Sequence, residues 1–319
     1  MVGRDYELIQ LNSCLEKGKH TLILAPKGLG KKTLLHYTRL LAADMDYPHT
    51  WIEDGHTARN TLNLLAKSCH ESFGLTLPRA VFAQFPPQTQ SRFRRQGHIG
   101  WPDLSRPLGQ RVTTAELGNI IVNSLRQAPL ERKFFIFIEN LKTTPTVAKF
   151  YQQLFQCSCV FAALDTADQY RAHIQPLTYN FMEKIELRPL SIESGREIAE
   201  SWLLNHELRF TSEQARKAFV QHIARDSGGI PAAIMGMLED AQTLPEISSS
   251  KVRALSHDSA VQYFDMSYVL FGVLVGFMAL RYVSRGIGET ELMMLSGVGS
   301  AVMVGFFYVM RFLRGPGRG

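Results

Sequence analysis

A glycine-rich turn near the N-terminus carries the residues whose types and spacing point most clearly to chemistry. The apolar run 21–25 leads into this turn, and an amphipathic helical pattern begins directly after it. The backbone amides of such a turn and of the helix start bind phosphate oxygens, and a lysine there reaches the terminal phosphates. The sequence therefore predicts a nucleotide site. Its predicted contacts are Pro26, Lys27, Gly28, Leu29, Gly30, Lys31, Lys32 and Thr33.

The turn departs at two positions from the pattern Gly-x-x-x-x-Gly-Lys-Ser/Thr. Gly30 and Lys31 match it, but Ala25 replaces the first glycine, and Lys32 stands where a hydroxyl normally binds Mg²⁺. An ammonium group cannot ligate Mg²⁺, which prefers oxygen ligands in octahedral geometry. A second cation would favour the binding of phosphate over its transfer. Gly-Lys pairs also occur by chance, but the position of this pair between a strand and a helix favours a nucleotide site.

Short apolar runs alternate with helical patterns through the first half of the chain. Such alternation predicts an α/β domain over residues 1–185, with a parallel sheet covered by helices on both faces. The stretch 78–112 breaks the pattern with several prolines and the basic cluster Arg92–Arg95, so we expect an irregular basic insertion there. The apolar runs are residues 21–24, 49–52, 134–138 and 159–163.

Helical periodicity dominates the next part of the chain. Ser191 is suited to cap one helix, and the segment Thr211–Gln214 is typical of a capping box at the start of another. These signals predict a helical lid over residues 186–245. The polar stretch that follows predicts a linker over residues 246–262.

The order of these features resembles a known family. Val2-Gly-Arg, an amphipathic helix, a strand and the phosphate-binding turn are similar to the start of the AAA+ ATPases related to origin-recognition and STAND proteins. The resemblance spans about residues 2–240. It implies a P-loop NTPase fold with a parallel sheet core and a helical lid, and ATP or ADP as cofactor together with Mg²⁺.

The resemblance also assigns roles to residues outside the turn. It implies that Glu139 is the metal-associated carboxylate, with Thr33 as the hydroxyl ligand, and that Asn140 stands where the family activates water. It implies that Asp165 or Thr166 lies near the γ-phosphate. An amide orients water but cannot accept its proton, so these changes predict ATP binding with weak hydrolysis.

The segment 227–234 is similar to the Gly-x-Pro segment of the family's lid. The resemblance then implies that Gly229 and Pro231 lie near the adenine. The alternative is a simple helix-breaking turn.

The last sixty residues differ in kind. The run 292–310 carries no charge over nineteen residues, and the uncharged run 266–280 is extended by its aromatic neighbours. About twenty apolar residues cross a bilayer, so we expect a transmembrane hairpin over 263–313 that makes the protein multi-pass. The alternative is a buried helical hairpin. The ATPase domain and both chain ends are then expected in the cytoplasm, with the loop 284–291 outside.

Composition excludes several classes of protein. Of 319 residues, 45% are hydrophobic and 20% charged, so a full core can form and general disorder is excluded. The first residues lack the apolar core of a signal peptide, and the four cysteines are expected to be reduced thiols. No HExxH or Gly-x-Ser-x-Gly pattern is present, so zinc peptidase and serine hydrolase chemistry have no support.

Three functions fit these features. The first is a membrane-anchored AAA+-like ATPase or nucleotide switch, and the second is a non-hydrolysing membrane scaffold that recruits a protein partner. The third is a membrane-tethered, nucleic-acid-handling ATPase, for which the net charge of +6 and Arg92–Arg95 are the evidence. A solvated insertion is the alternative for that cluster. Small residues spaced four apart in the hairpin, Gly272 with Gly276 and Gly297 with Ala301, favour a homo-oligomer.

Overall fold

The computed structural model describes most of the first 247 residues. The described ranges are 2–53, 57–96, 99–129, 133–141 and 144–247, together with the helical residues Val275, Ala279 and Tyr282. The chain divides into two units, residues 1–260 and 261–319, and nearly all described residues belong to the first.

Five parallel strands form one sheet in the order β2-β3-β4-β1-β5. This arrangement confirms the predicted α/β class with a parallel sheet. Four of the strands coincide with the predicted apolar runs. The strands are β1 Thr21–Ala25, β2 His49–Ile52, β3 Phe135–Ile138, β4 Cys159–Asp165 and β5 Glu183–Glu186.

Helices connect and cover the strands. In the described ranges they are α1 Asp5–Lys17, α2 Lys31–Asp44, α3 Ala58–Phe73, α4 Arg79–Ala83, α5 Pro87–Gln96, α6 Trp101–Arg111, α7 Thr114–Gln127, α8 Pro145–Leu154, α9 Gln175–Thr178, α10 Ile192–Asn205, α11 Glu213–Asp226 and α12 Pro231–Gln242. A 3₁₀ turn, Thr166–Asp168, follows β4 directly.

The sheet is buried on both faces, which explains why its strands are continuous apolar runs. Leu22 and Leu24 of β1 pack into the layer that includes α3 and α7. Ile23 and Ala25 pack on the opposite side with residues of α1 and α2. Because side chains alternate along a strand, burying both faces requires apolar residues at every position. This packing fixes the carboxyl end of β1, where the glycine-rich turn begins.

The stretch 78–112 differs from its prediction as an irregular insertion. It contains the helices α4, α5 and α6, and it buries apolar side chains such as Phe85 and Leu108 in the core. The prolines suggested irregular structure, but Pro87 and Pro102 lie in the first turns of their helices. A missing N–H removes no hydrogen bond at these positions. Arg59 on α3 links this segment to the rest of the domain by donating hydrogen bonds to the carbonyls of Leu108 and Val112.

Helices α10 to α12 pack around their own apolar cluster in the region predicted as a lid. Ser191 caps α10, as expected, by accepting from the amide of Ser194 at 3.1 Å. The predicted cap at Thr211 is wrong by one residue, because Ser212 caps α11. The amide of Thr211 instead donates to the carbonyl of Ile247 at 3.2 Å. Thr211 therefore lies outside the helix, which begins at Glu213.

Two predicted segments lie mainly outside the described residues. Of the linker 246–262 only the first two residues are described, and Ile247 is buried in the apolar cluster of α10 to α12, so this helical region extends at least to that position. The predicted membrane hairpin 263–313 lies outside the described residues apart from the three helical residues named above. Within the described ranges, no helix combines the length and the apolar character needed to cross a bilayer.

Candidate nucleotide site

A cleft of about 470 Å³ opens at the carboxyl ends of β1, β3 and β4. Ligands of open parallel α/β sheets bind at this end of the strands. Six of the eight residues predicted in the turn line the cleft, together with Glu139, Asn140 and Pro231. The lining residues are Lys27, Gly28, Gly30, Lys31, Lys32, Thr33, Glu139, Asn140, Asp165, Pro231, Ala232 and Met235.

The glycine-rich turn takes a shape that depends on its glycines. Gly28 and Gly30 have φ angles of 91° and 87°, in the left-handed region that favours glycine. Gly30 is also the N-cap of α2, and the first turn of α2 contains no acidic residue. The positive end of the helix dipole therefore faces the turn without a carboxylate from the helix's own first turn, which suits the binding of an anion.

Lys31 lies folded back over the turn. Its Nζ donates to the carbonyl of Ala25 at 2.5 Å and to that of Pro26 at 2.8 Å. Burial lowers the pKa of this ammonium, and the nearby carboxylates of Asp165 and Asp168 oppose the shift. A phosphate group in the cleft would offer the ammonium a charged acceptor in place of two neutral carbonyls.

Glu139 and Asn140 follow directly on β3, as the resemblance implied. The amide of Glu139 donates to the carbonyl of Ile52 at 2.9 Å, which extends the β2–β3 pairing and fixes the main chain there. The carboxylate of Glu139 lies 2.7 Å from the ammonium of Lys32. This pair could not be predicted from the sequence, because its members are more than a hundred residues apart.

Two of the predicted contacts do not present side chains to the cleft. Leu29 is buried in the core, and Pro26 is exposed but is not a lining residue. The carbonyl of Leu29 accepts from Arg4 Nη2 at 3.3 Å, and Arg4 Nη1 donates to Glu7 at 2.8 Å. In the sequence, Arg4 is recognisable only as part of the family pattern. In the structure it is buried, and its hydrogen bond to Leu29 stabilises the turn.

The helical region predicted as a lid contacts the turn at the start of α12. The amide of Ala232 donates to the carbonyl of Gly28 at 3.1 Å, and a Cβ at Gly28 would lie 3.1 Å from the side chain of Ile230. Pro231, which the resemblance implies is near the adenine, lines the cleft, and Met235 does so without having been predicted. A ligand in the cleft would therefore contact both the turn and the lid.

Gly229 has a different place from the one expected. It does not line the cleft, and its carbonyl accepts from the amide of Leu190 at 2.7 Å. The alternative interpretation of this segment, a simple helix-breaking turn, describes Gly229 better, because it lies between the end of α11 and the start of α12.

Of the two candidates for the γ-phosphate position, Asp165 lines the cleft and Thr166 does not. Asp165 ends β4 and caps the short turn Thr166–Asp168 by accepting from the amide of Ala167 at 3.4 Å.

The residues predicted to hold Mg²⁺, Thr33 and Glu139, both line the cleft but do not fit a usual magnesium site. The carboxylate of Glu139 is already paired with an ammonium group, and Lys32 replaces the hydroxyl at the usual ligand position. Thr33 is one residue later on α2, so its side chain is turned by about 100° from that position.

The basic cluster Arg92–Arg95 lies on α5. Arg92 Nη1 is 3.1 Å from both carboxylate oxygens of Asp103, so its charge is matched within the protein. Nucleic-acid binding through this cluster stays a prediction.

The chain has an α/β fold with a five-stranded parallel sheet and a cleft at the carboxyl end of the sheet, and several solved structures are similar to it. Among solved structures, the chain is similar to Cdc6p from Pyrobaculum aerophilum, with a TM-score of 0.51 and 12% identity over 95% of this chain and 80% of that chain. The Aeropyrum pernix Orc1 protein, solved in complex with DNA, has a TM-score of 0.49 and 12% identity over 91% of this chain and 73% of that one.

The Thermotoga maritima RuvB Holliday junction branch migration motor is a further similar structure. Its TM-score is 0.46, with 13% identity over 90% of this chain and 82% of that one. No protein-family model and no curated protein sequence matches the chain. At these identities the structural likeness shows the fold alone.

Proposed function

We propose that this chain is a membrane-anchored, AAA+-like ATP-binding protein that acts as a nucleotide-dependent switch with weak hydrolysis. The observation that carries the proposal is the cleft itself. It joins a glycine-rich turn, a helix start without acidic residues and the ammonium of Lys31, all at the carboxyl end of a parallel sheet. These features together suit the triphosphate of a nucleotide.

The contact between turn and lid supports the action as a switch. A nucleotide that orders residues 26–33 also changes the surroundings of Gly28, whose carbonyl accepts from Ala232 on α12. Binding and release would then bias the position of the lid, because a ligand shifts an equilibrium toward the arrangement it binds more tightly. ATP and ADP would affect the position of the lid differently, because only ATP has a γ-phosphate to contact the cleft.

Weak hydrolysis follows from Asn140. This amide lines the cleft, and the resemblance to AAA+ ATPases implies that it stands where that family activates water, but an amide cannot accept a proton as a carboxylate can. We expect the full-length protein to turn over ATP at least about tenfold more slowly than 1 s⁻¹, the low end of common enzyme rates. Phosphate release under saturating ATP measures the rate, and turnover of several per second would contradict the proposal.

The variant Asn140→Glu sharpens this test by supplying the missing base. We expect it to raise turnover about 100-fold or more, within the range that general bases contribute. Asn140→Ala is the matched control, and it should lower whatever turnover the amide supports by orienting water. Equal rates in all three proteins would exclude a role for this position.

Membrane anchoring is proposed from the sequence of residues 263–313, with the nucleotide site in the cytoplasm. We expect an impermeant maleimide to label Ser284→Cys in intact cells and to leave Gly317→Cys unlabelled. The native background should be low, because Cys14, Cys69 and Cys159 are buried and burial raises the pKa of Cys157 to about 11, and protonated thiols react slowly. Labelling of Gly317→Cys alone would overturn this topology.

A further inference from the structure

The two positions where this fold usually holds a metal ion are joined to each other by an ion pair. Lys32 replaces the hydroxyl ligand, and Glu139 stands at the metal-associated carboxylate; their charged groups lie 2.7 Å apart. Each substitution alone would only weaken a magnesium site. As a pair, the two residues place the ammonium of Lys32 next to the carboxylate of Glu139, which the metal would need as a ligand.

A divalent cation at Glu139 would meet this ammonium at close range. The metal would have to displace Lys32 or bind beside it, and two cations on one carboxylate repel each other. Mg²⁺ also demands near-octahedral oxygen coordination, to which an ammonium contributes no ligand. The chemistry of the residues present therefore disagrees with a metal-dependent site.

The same residues suit a bound triphosphate without a metal. The side chain of Lys32 is 66% exposed, whereas that of Glu139 is 15% exposed, so the ammonium can turn toward a ligand while the carboxylate stays in place. Lysines 27, 31 and 32 line the cleft against the carboxylates of Glu139 and Asp165. The cleft therefore has an excess of positive charge before any metal is added.

We infer that this cleft binds nucleoside triphosphate without a divalent cation, with the ammonium of Lys32, held by Glu139, in place of the metal's charge. The inference rests on the proposed function, since it assumes that the cleft is a nucleotide site. It also gives a reason for weak hydrolysis, because one positive charge stabilises the charge that develops on the phosphates less than a divalent ion does.

The test is an ATP titration of the full-length protein in detergent, by calorimetry, once with excess EDTA and once with Mg²⁺. The wild-type dissociation constants in the two buffers are expected to agree within about threefold. Lys32→Thr restores the usual hydroxyl and removes the cation, so its affinity should fall at least about tenfold in EDTA and recover with Mg²⁺. Lys32→Arg keeps a cation and should bind equally in both buffers.

Lys67→Thr is the matched control. It breaks another lysine–glutamate pair, to Glu71 on α3, and neither residue lines the cleft. Its affinity should equal that of wild type in both buffers. Thermal melting of each variant shows whether the fold is retained, and the comparison of the wild-type protein in two buffers does not depend on any variant.

The outcomes separate this inference from the proposed function. Wild-type binding that requires Mg²⁺ overturns the inference and leaves the nucleotide site in place. A Lys32→Thr variant that stays indifferent to Mg²⁺ overturns the role of Lys32. Absence of ATP binding in both buffers contradicts the proposed function itself.

Discussion

Replacement of Lys31 by methionine is expected to weaken ATP binding at least about 100-fold, or about 2.7 kcal/mol. The ammonium of Lys31 lies at the turn, 2.8 Å from the carbonyl of Pro26, where a phosphate would be a stronger acceptor. Charged hydrogen bonds to phosphate are about twice as strong as neutral ones, so this contact is the largest that one side chain can lose here. Calorimetric titration of the full-length protein measures the loss.

The methionine variant should still fold. Burial lowers the pKa of Lys31, which means that the fold disfavours its charged form. A neutral side chain of similar length avoids the cost of burying that charge. We expect a melting temperature within about 4 °C of wild type without nucleotide. Lys149→Met, at an exposed position on α8, is the control and should bind ATP normally. Unchanged affinity in Lys31→Met would contradict the assignment of the turn.

The largest loss of stability is expected for Gly229→Ala. The φ of Gly229 is +72°, and a Cβ there would lie 2.2 Å from the carbonyl oxygen of Leu190. Such a contact is possible only if the backbone shifts, and the hydrogen bond from the Leu190 amide to the Gly229 carbonyl is at stake as well. We expect a loss of about 3 kcal/mol or more in the free energy of unfolding, measured in urea.

Gly228→Ala is the matched control for this substitution. Gly228 also has a positive φ, +60°, but a Cβ there would meet no atom within 4 Å. The variant should therefore lose only the 1–2 kcal/mol or so that a left-handed conformation imposes on alanine. Because Gly229 lies two residues before the start of α12, its variant should also bind ATP more weakly. Equal losses of stability in the two variants would show that the contact with Leu190 is unimportant.

The fold was predictable from the sequence where burial is uniform. β1, β3 and β4 are covered on both faces, so they are continuous apolar runs that stand out in the sequence. β5 was missed because it lies at the edge of the sheet, where only Ile185 of its four residues is buried. The helices in 78–112 were not predicted because prolines usually interrupt helices. Two of these prolines, however, lie in the first turns of helices, where proline is tolerated.

The site was predictable where one continuous segment builds it. The turn from Lys27 to Thr33 forms because β1 and α2 adjoin it in the chain. The support from Arg4, the pairing of Lys32 with Glu139 and the place of Met235 all depend on which strands and helices the fold brings together. Local sequence carries no signal for such contacts.

Hydrogen–deuterium exchange of the full-length protein, with and without saturating ATP, tests the location of the nucleotide most directly. If the triphosphate is bound by the turn and touches the lid, the amides of residues 26–33 and 228–235 should exchange more slowly with ATP. Residues 79–111, which do not line the cleft, should exchange equally in both states. Protection that is absent from residues 26–33, or found only elsewhere in the chain, would contradict the nucleotide site.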